Sequence, residues 1–407
     1  MLRTFVMGLT ASIATLAAID AGPDVDPEPE EIERLVMQLG SDEFSEREDA
    51  SHRLRDLQEL VLPALRPRLN DPDAELRLRA RALLEAIERN GEIRACRGHK
   101  GEVLAVALLP GDKQAVSAGA DGVIRLWDLE TGVEVRRFKG HKDQVWALAV
   151  SPDGKQLASG GRDLTVRVWD VATATPLKSF PLSDPVRALA YTPGGESLLV
   201  GNFGKRTLLF DLQTAKVIQT FGEQLGGVLS VAVSADGKRA LTGGSFQDRT
   251  VRLWDIEAGR ELKTMAGHDE RISAVAFLPG DRAVSAAQDK IIRIWDLTTA
   301  KELFRLTGHT GAIHSLALSP DGLRLLTGAA RSDSAVRVWD LATRQELRRY
   351  HGHQDAVCAL AITANGKHFV SVSSDQTAFV ANATRSPTQR QHVTGSQRPV
   401  NRISMRV

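Results

Sequence analysis

Residues 165–170 read TVRVWD, and strings of the same form recur along the last three-quarters of the chain. The aspartates that end these strings are Asp128, Asp170, Asp255, Asp296 and Asp340. They are separated by 42, 85, 41 and 44 residues, and a weaker copy, TLLFD at 207–211, divides the long interval. A period of this length predicts a repeat architecture in which each unit is one supersecondary structure.

The segments between the Trp-Asp strings predict short antiparallel strands joined by tight turns. The turns read LPGDK, SPDGK, TPGGE, SADGK, LPGDR, SPDGL and TANGK. Proline presets φ for a turn, and glycine or asparagine adopts the positive φ that leads into the next strand. Flanking runs such as VWALAV are apolar and suited to strands. Seven turns therefore indicate seven units, each of about four strands.

Gly-His pairs recur with the same period, at His99, His141, His268, His309 and His353. Together, the Gly-His pairs and the Trp-Asp strings make these repeats resemble the WD40 repeat family of β-propellers. The resemblance covers residues 91–383, and a motif repeated at a fixed period is far more specific than one Trp-Asp pair. It implies a mainly β protein, a seven-bladed WD40 β-propeller, preceded by a small α-helical domain.

The resemblance also implies a structural tetrad of hydrogen-bonded side chains in each blade. An indole N–H can only donate, a Ser or Thr hydroxyl can accept from it, and a histidine can link that hydroxyl to a carboxylate. Four blades carry complete sets, which are His99, Ser117, Asp121 and Trp127; His141, Ser159, Asp163 and Trp169; His268, Ser285, Asp289 and Trp295; and His309, Thr327, Asp333 and Trp339.

Three blades depart from this pattern by replacing one or more members. The residues at the tetrad positions are Thr242, Asp248 and Trp254 in blade 4, His353, Ser371, Asp375 and Ala381 in blade 7, and Val200, Gly204 and Phe210 in blade 3. Blade 4 lacks the histidine, blade 7 lacks the tryptophan, and blade 3 lacks the whole set. We therefore expect blade 3 to be the least cooperative part of the ring.

Residues 91–99, GEIRACRGH, match the fourth strands of the repeats but precede the first blade. We expect this segment to be the outer strand of blade 7, which closes the ring and removes an exposed sheet edge. Cys96 and Cys358 would then lie on the outermost and innermost strands of that blade, with two strands at ~4.8 Å spacing between them. That separation exceeds the reach of a disulfide, so we expect both to remain thiols.

Residues 30–90 show the i, i+3, i+4 apolar spacing of helices. Four segments carry it, at 31–39, 42–57, 59–69 and 73–88, and the residues Asn-Asp-Pro at 70–72 predict the cap and first turn of the last helix. The second helix pair resembles a HEAT repeat. We therefore interpret 30–90 as a HEAT-like helical domain that follows a linker at 23–29.

The two ends of the chain differ in character. Residues 1–22 have a basic start, an apolar run and small residues at the end, which is the shape of a secretory signal peptide. We expect export to the periplasm or outside the cell, with no membrane span after cleavage; a cytoplasmic protein or an uncleaved N-terminal anchor are the alternatives. Residues 384–407 contain five Arg and no acid, and form either a basic tail or an extra strand on blade 7.

Composition and motifs do not point to nucleic-acid binding or catalysis. The formal net charge is +1 with 25% charged residues, so nucleic acid is not expected as a partner. Each Gly-His pair belongs to a different blade, so these histidines cannot converge on one metal ion. The chain has no P-loop, no G-x-S-x-G elbow and no Cys-x-x-Cys. We expect neither a cofactor nor enzymatic activity.

Aligning the first strands identifies a candidate binding surface. One equivalent position holds Leu104, Trp146, Arg187, Leu229, Ser273, His314 and Cys358, a mixed set that indicates a wet rim near the channel entrance. The position two residues later is apolar throughout and is expected to be core; it holds Val106, Leu148, Leu189, Val231, Val275, Leu316 and Leu360. The candidate partner-binding residues are Trp146, Arg162, Arg187, Phe203, Arg271 and His314.

Blades 2 and 3 combine two aromatic residues with two arginines, the composition of interface hot spots. We therefore expect a non-catalytic protein–protein interaction scaffold that uses this face, with the helical segment as a further candidate surface and other proteins as partners. An enzyme or small-molecule binder at the channel mouth is the alternative, and a purely structural envelope role is a third. For Trp146 itself, the alternative is packing between blades beside Leu148.

Overall fold

The structure is a computed structural model that describes residues 29–56, 61–89, 92–222, 225–350 and 352–383. The chain divides into two compact units, one ending at Leu83 and the other beginning at Leu84. The expected signal peptide, most of the expected linker and the basic tail at 384–407 lie outside the described residues.

The N-terminal unit consists of short helices, and its helix bounds correct two sequence predictions. The elements are α1 (Pro29–Gln38), α2 (Phe44–Asp56), α3 (Leu62–Leu65), a 3₁₀ turn (Arg66–Asn70) and α4 (Ala74–Arg89). The prediction of one helix over 59–69 is wrong, because the prolines at 63 and 67 lack the amide donors of a continuous helix. The cap of α4 is Asp73 rather than the residues at 70–72, since its Oδ1 accepts the backbone N–H of Glu75 at 2.8 Å.

The C-terminal unit is a propeller of seven four-stranded antiparallel sheets, one sheet for each blade. Blades 1 to 3 contain β2 (Val103–Leu108), β3 (Gln114–Gly119), β4 (Ile124–Asp128) and β5 (Glu134–Phe138); β6 (Val145–Val150), β7 (Gln156–Gly161), β8 (Thr165–Asp170) and β9 (Pro176–Pro181); and β10 (Val186–Tyr191), β11 (Ser197–Asn202), β12 (Thr207–Asp211) and β13 (Lys216–Phe221). Blades 4 and 5 contain β14 (Val228–Val233), β15 (Arg239–Gly244), β16 (Thr250–Asp255) and β17 (Arg260–Ala266); and β18 (Ile272–Leu278), β19 (Arg282–Ala287), β20 (Ile292–Asp296) and β21 (Glu302–Leu306). Blades 6 and 7 contain β22 (Ile313–Leu318), β23 (Arg324–Ala329), β24 (Val336–Asp340) and β25 (Gln345–Tyr350); and β26 (Val357–Ile362), β27 (His368–Ser373), β28 (Thr377–Asn382) and β1 (Glu92–Arg97).

The innermost strands of the seven blades form a closed ring. Each of β2, β6, β10, β14, β18, β22 and β26 contacts the next, and β26 contacts β2. Blade 7 is completed by β1, which pairs with β28 so that Ala95 lies opposite Phe379. Cys96 and Cys358 therefore lie on the two outside strands of this sheet, with β28 and β27 between them.

The hydrophobic core lies mainly between neighbouring blades. Trp169 of blade 2 meets Phe138 of blade 1 edge to face, with ring centroids 6.0 Å apart, inside one buried cluster. On the opposite side of the ring from the Gly-His loops, turns of adjacent blades pack closely. Gly154 has φ +73°, and a Cβ there would lie 2.9 Å from Pro110 of the preceding blade. Only glycine fits this position, because the backbone is left-handed and a side chain would collide with Pro110.

Candidate functional site

Four blades contain an unbroken series of hydrogen bonds from tryptophan to aspartate. In blade 1, Trp127 Nε1 donates to Ser117 Oγ at 2.7 Å, and His99 lies 2.8 Å from that hydroxyl and 3.0 Å from an Asp121 oxygen. The same bonds link Trp169, Ser159, His141 and Asp163; Trp295, Ser285, His268 and Asp289; and Trp339, Thr327, His309 and Asp333. These buried groups form hydrogen bonds with one another, so they stabilise the blade and are not arranged to bind a ligand.

The ionisation of these groups follows from their burial and partners. Burial is the main cause that lowers the pKa of His141 and His309, so both rings are neutral at pH 7. Burial alone would raise the pKa of Asp121, but hydrogen bonds from His99 and from backbone amides hold that pKa well below its usual range. The tetrads of His141 and His309 therefore place a neutral imidazole between a hydroxyl and an ionised carboxylate.

A buried arginine extends the network in four blades, which the motif search did not predict. The side chain of Arg337 is 1% exposed and donates to Asp333 at 2.9 Å and to Glu346 at 2.8 Å. Equivalent pairs join Arg125 to Glu134, Arg252 to Glu261, and Arg293 to Glu302. The signal was present in the sequence, because in these four blades an arginine two residues before the tryptophan recurs with a glutamate in the fourth strand.

The departing blades replace the missing bonds in different ways. In blade 4, Asp248 is held by Arg252, whose Nη2 lies 3.1 Å from it. In blade 7, the ring of His353 contacts the ring of Phe379, with centroids 4.5 Å apart and planes tilted by 41°. Ala381 occupies the tryptophan position of this blade. In blade 3, Phe210 packs against Phe180 of blade 2 at 5.4 Å. Blade 3 therefore depends on apolar contact where complete blades have hydrogen bonds.

A β-bulge in every inner strand turns one side chain towards the channel. In β6, the pairing with β7 shifts between Val145 and Ala147, so that Trp146 is the extra residue. The extra residues of the seven inner strands are Leu104, Trp146, Arg187, Leu229, Ser273, His314 and Cys358. A bulge removes its residue from the regular alternation, which explains how a position next to core residues can be polar.

These seven bulge residues line one open cavity of about 200 Å³ at the mouth of the channel. The prediction that the next aligned position is core is confirmed in two blades and only in part in the other five, where the side chain packs against a buried cluster and also lines the cavity. Val106, Leu148, Leu189, Val231 and Leu316 line the same cavity and are half-buried, whereas the other two members of the set are buried. Inner strands face the open channel at the centre of the ring, so side chains on that face have neighbours on only some sides.

Trp146 lies at the rim of the cavity, in a cluster that joins blades 2 and 3. Its ring meets that of Phe203 edge to face, with centroids 5.7 Å apart, and Arg187 Cζ lies 6.0 Å from the indole centroid. Its Nε1 donates to Gln144 Oε1 at 2.9 Å. Trp146 is half-buried and Phe203 is 44% exposed. The indole therefore contacts rim residues and is not sealed between blades beside Leu148.

Three basic residues from different blades influence one another across the cavity. Burial lowers the pKa of Arg187, and the charge of Arg271 adds to this effect. Burial also lowers the pKa of His314, again with contributions from Arg271 and Arg187. Arg271 Cζ lies 4.7 Å above the ring of Phe246, which is 54% exposed. The mouth therefore carries concentrated positive charge beside exposed aromatic rings.

Arg162 and Phe246 differ from the residues described above. Arg162, with 59% of its side chain exposed, pairs with Asp143 at 3.7 Å and lies beside the cluster rather than in it. Phe246 was not predicted, although blade 4 has two extra residues in the turn that carries it. We call Trp146, Arg162, Arg187, Phe203, Arg271 and His314 the channel-mouth surface.

The chemistry of the cavity favours binding. The described residues that line it include neither aspartate nor glutamate. Burial is the main cause that raises the pKa of Cys358, so this sulfur is a thiol rather than a nucleophilic thiolate at neutral pH. Within the described ranges, no group of three or more His, Cys, Asp or Glu side chains is placed to hold a metal ion, and no helix is long and apolar enough to cross a membrane.

Comparison with known proteins identifies a family and a relative that matches over a short stretch. The family model described as "WD domain, G-beta repeat" matches residues 90–128, 132–170, 215–255, 259–296, 300–340 and 344–382, which together make up more than half of the chain. The first three strands of blade 3, β10 to β12, lie in the interval between the second and third matched segments. The nuclear distribution protein PAC1-2 of Postia placenta is 37% identical over 54 residues, which is 13% of this chain and 12% of that protein. The chain thus matches only a small part of this relative's length.

Proposed function

Because this chain belongs to the WD40 repeat family, we propose that it is a non-catalytic scaffold that binds other proteins at its channel-mouth surface. Propellers of this family generally bind proteins, and the fold alone does not determine which. The observation that carries the proposal is the contact of Trp146 with Phe203 and Arg187 at an open rim. Aromatic and arginine side chains that are partly exposed and held in place by one another are typical of interface hot spots.

The composition of the cavity supports a scaffold over an enzyme. An acid–base mechanism needs a paired acid and base near the reacting atoms, and the described lining residues supply no carboxylate. His314 and Cys358 line the cavity, but they lie on the inner strands of different blades, and the thiol is protonated at pH 7. Protein binding requires only complementary shape and charge.

Two further parts of the proposal rest on sequence. We propose that the protein is exported, on the strength of the signal-like pattern of residues 1–22. We also propose that the helical unit, with its resemblance to a HEAT repeat, provides a second binding surface. In its favour, Met37, Phe44 and Leu78 are more than half exposed there. An N-terminal sequence determination on protein from the exported fraction tests the first point.

The experiment that tests the main proposal compares partners captured by matched variants of the full chain. Proteins are cross-linked to wild type, to Trp146→Ala and to Leu303→Ala, and are then identified by mass spectrometry. Leu303 is the control because it is 46% exposed on the outer strand of blade 5, away from the mouth. We expect a set of proteins that wild type and the control capture and Trp146→Ala does not. Equal capture by all three variants would overturn the proposal.

A further inference from the structure

Arg187 differs from the other arginines of the propeller interior. Arg125, Arg252 and Arg337 each bind two carboxylates within the same blade. Arg187 is half-buried as well, yet its hydrogen bond among the described residues is a long one of 3.5 Å, from Nη1 to the carbonyl oxygen of Trp146. A guanidinium has five N–H donors, so most of its hydrogen-bonding capacity remains unused.

The surroundings of Arg187 add positive charge rather than neutralise it. Among the described residues, the ionisable groups that act on Arg187 are Arg271, which is charged, and Cys358, which is a neutral thiol at pH 7; neither is a carboxylate. His314 faces the same two arginines. Glu102, in blade 1, acts on Cys358 instead. Partly desolvated positive charge without a counterion is unfavourable, and an anion supplied from outside would relieve it.

We propose that the channel mouth binds the carboxylate of an aspartate or glutamate side chain on a partner protein, with Arg187 as its ion-pair partner and His314 as a further donor. This inference rests on the proposed scaffold function and specifies the chemistry of the partner. Trp146 and Phe203 would contact apolar residues beside the acidic one. The partner segment is therefore expected to combine a carboxylate with neighbouring apolar side chains.

The charge balance favours a carboxylate over a phosphate group. Arg187 is the permanently charged residue among the described lining residues, and Arg271 lies outside this lining, above Phe246. His314 is neutral at pH 7, because burial lowers its pKa. The guanidinium that lines the cavity carries one positive charge and matches a singly charged carboxylate, whereas a phosphate with nearly two negative charges would also need Arg271, which lies over the ring of Phe246.

A direct test uses a short peptide and the imidazole signal of His314. The full chain, labelled at histidine Cε1, is titrated with the peptide acetyl-Gly-Leu-Glu-Leu-Gly-amide, with its glutamine counterpart and with its phosphoserine counterpart. The His314→Gln variant identifies the signal. We expect a saturable shift with the glutamate peptide alone, accompanied by a rise in the pKa of His314, since a bound carboxylate favours the charged ring.

The matched variants are Arg187→Gln and Arg305→Gln. Arg305 is 51% exposed on the outer strand of blade 5, where it pairs with Glu302. We expect Arg187→Gln to weaken the glutamate peptide by about tenfold or more, as for the loss of a charge-assisted bond, and Arg305→Gln to bind as wild type does. Three results would each overturn the inference: equal shifts with the glutamine peptide, tighter binding of the phosphoserine peptide, or unchanged binding by Arg187→Gln.

The same variant separates this inference from the scaffold proposal. Partners that are lost with Trp146→Ala but kept with Arg187→Gln would retain the scaffold and reject carboxylate recognition. Partners kept by both variants would reject the scaffold. Partners that are lost with both variants would support both proposals, provided that wild type binds neither the glutamine-substituted nor the phosphorylated form of the partner segment.

Discussion

The ring of Trp146 stands nearly perpendicular to that of Phe203, at 81°, and this contact joins blade 2 to blade 3 at the channel mouth. Trp146 is the residue of a bulge that every inner strand shares, and Phe203 precedes Gly204 in the turn of the degenerate blade. The repeat therefore fixes the position of Trp146, whereas its aromatic side chain and its partner Phe203 are particular to blades 2 and 3.

The position of Trp146 predicts a modest role in stability. Trp146→Ala should lower the free energy of unfolding by about 1–2 kcal/mol, because the indole is half-buried and its N–H bond is to an adjacent side chain. Trp169→Ala should cost about 3–5 kcal/mol, since that ring is fully buried between blades. Urea denaturation of both variants measures the difference. A loss in Trp146→Ala as large as that in Trp169→Ala would make Trp146 a core residue and argue against the interface.

Arg337 and Arg349 provide a matched pair for the buried charge network. Both bind Glu346, but the Arg337 side chain is 1% exposed and that of Arg349 is 42% exposed. Arg337→Met should lower the free energy of unfolding by about 3–5 kcal/mol, because Asp333 would be left buried without its arginine, and Glu346 would keep only the exposed Arg349. Arg349→Met should cost less than about 1 kcal/mol. Similar losses in the two variants would contradict a special role for the buried arginine.

Stability should fall as the pH is lowered from 7. Burial holds the pKa of His141 and His309 below the value of the unfolded chain, about 6.5. The unfolded state therefore takes up protons first, and the stability that these residues contribute above pH 6.5 is lost as the pH falls towards their folded-state values. The carboxyls of Asp163 and Asp333, whose pKa values are lowered, add a further loss below about pH 4.

Chemical denaturation at several pH values between 7.5 and 4.5 measures this dependence. The variant His141→Gln should have a lower overall stability and a flatter profile above pH 5, because one of the titrating groups is removed. A free energy of unfolding that rises between pH 7 and pH 5 would contradict the assignment of neutral, buried imidazoles.

Blade 3 should open more readily than its neighbours. It lacks the tetrad and relies on the contact of Phe210 with Phe180. Amide hydrogens of β11 and β12 should therefore exchange several times faster than those of the equivalent strands β7 and β8. Hydrogen exchange followed by mass spectrometry compares the two pairs within one sample. Equal protection would mean that apolar packing fully replaces the hydrogen bonds in this blade.

The fold could be predicted from the sequence because most repeats carry the same residue types at the same spacing. A tryptophan, a hydroxyl, a histidine and an aspartate at constant spacing leave few alternatives for burying an indole N–H and a carboxylate together. The turns with proline and glycine indicated the strand boundaries. The pattern of residues 91–99 indicated that the outer strand of blade 7 precedes blade 1 in the sequence. The helix at 59–69 was predicted incorrectly, because apolar periodicity was given more weight than two prolines.

The candidate surface was only partly predictable. Alignment of the inner strands found the position of Trp146 and Arg187, but not the bulges that aim these side chains at the channel. It also assigned Val106 and Leu148 to the core, since an apolar residue gives the same signal whether it faces another blade or an open channel. Phe246 and the unpaired state of Arg187 depend on contacts between blades, which no single repeat encodes.

The pairing of β1 with β28 imposes an order on how the chain can assemble. The ribosome completes β1 before any other strand of the propeller, yet its partner is the last strand to emerge. Until then blade 7 has no outer strand, and β1 has an open edge to which other chains can add. Long-range pairing of this kind is slow, so nearly the entire propeller must be synthesised before the ring can close. An early stop codon that removes β28 alone would therefore leave unpaired strands at both ends of the ring, and we expect such a product to aggregate or be degraded rather than persist as a six-bladed protein.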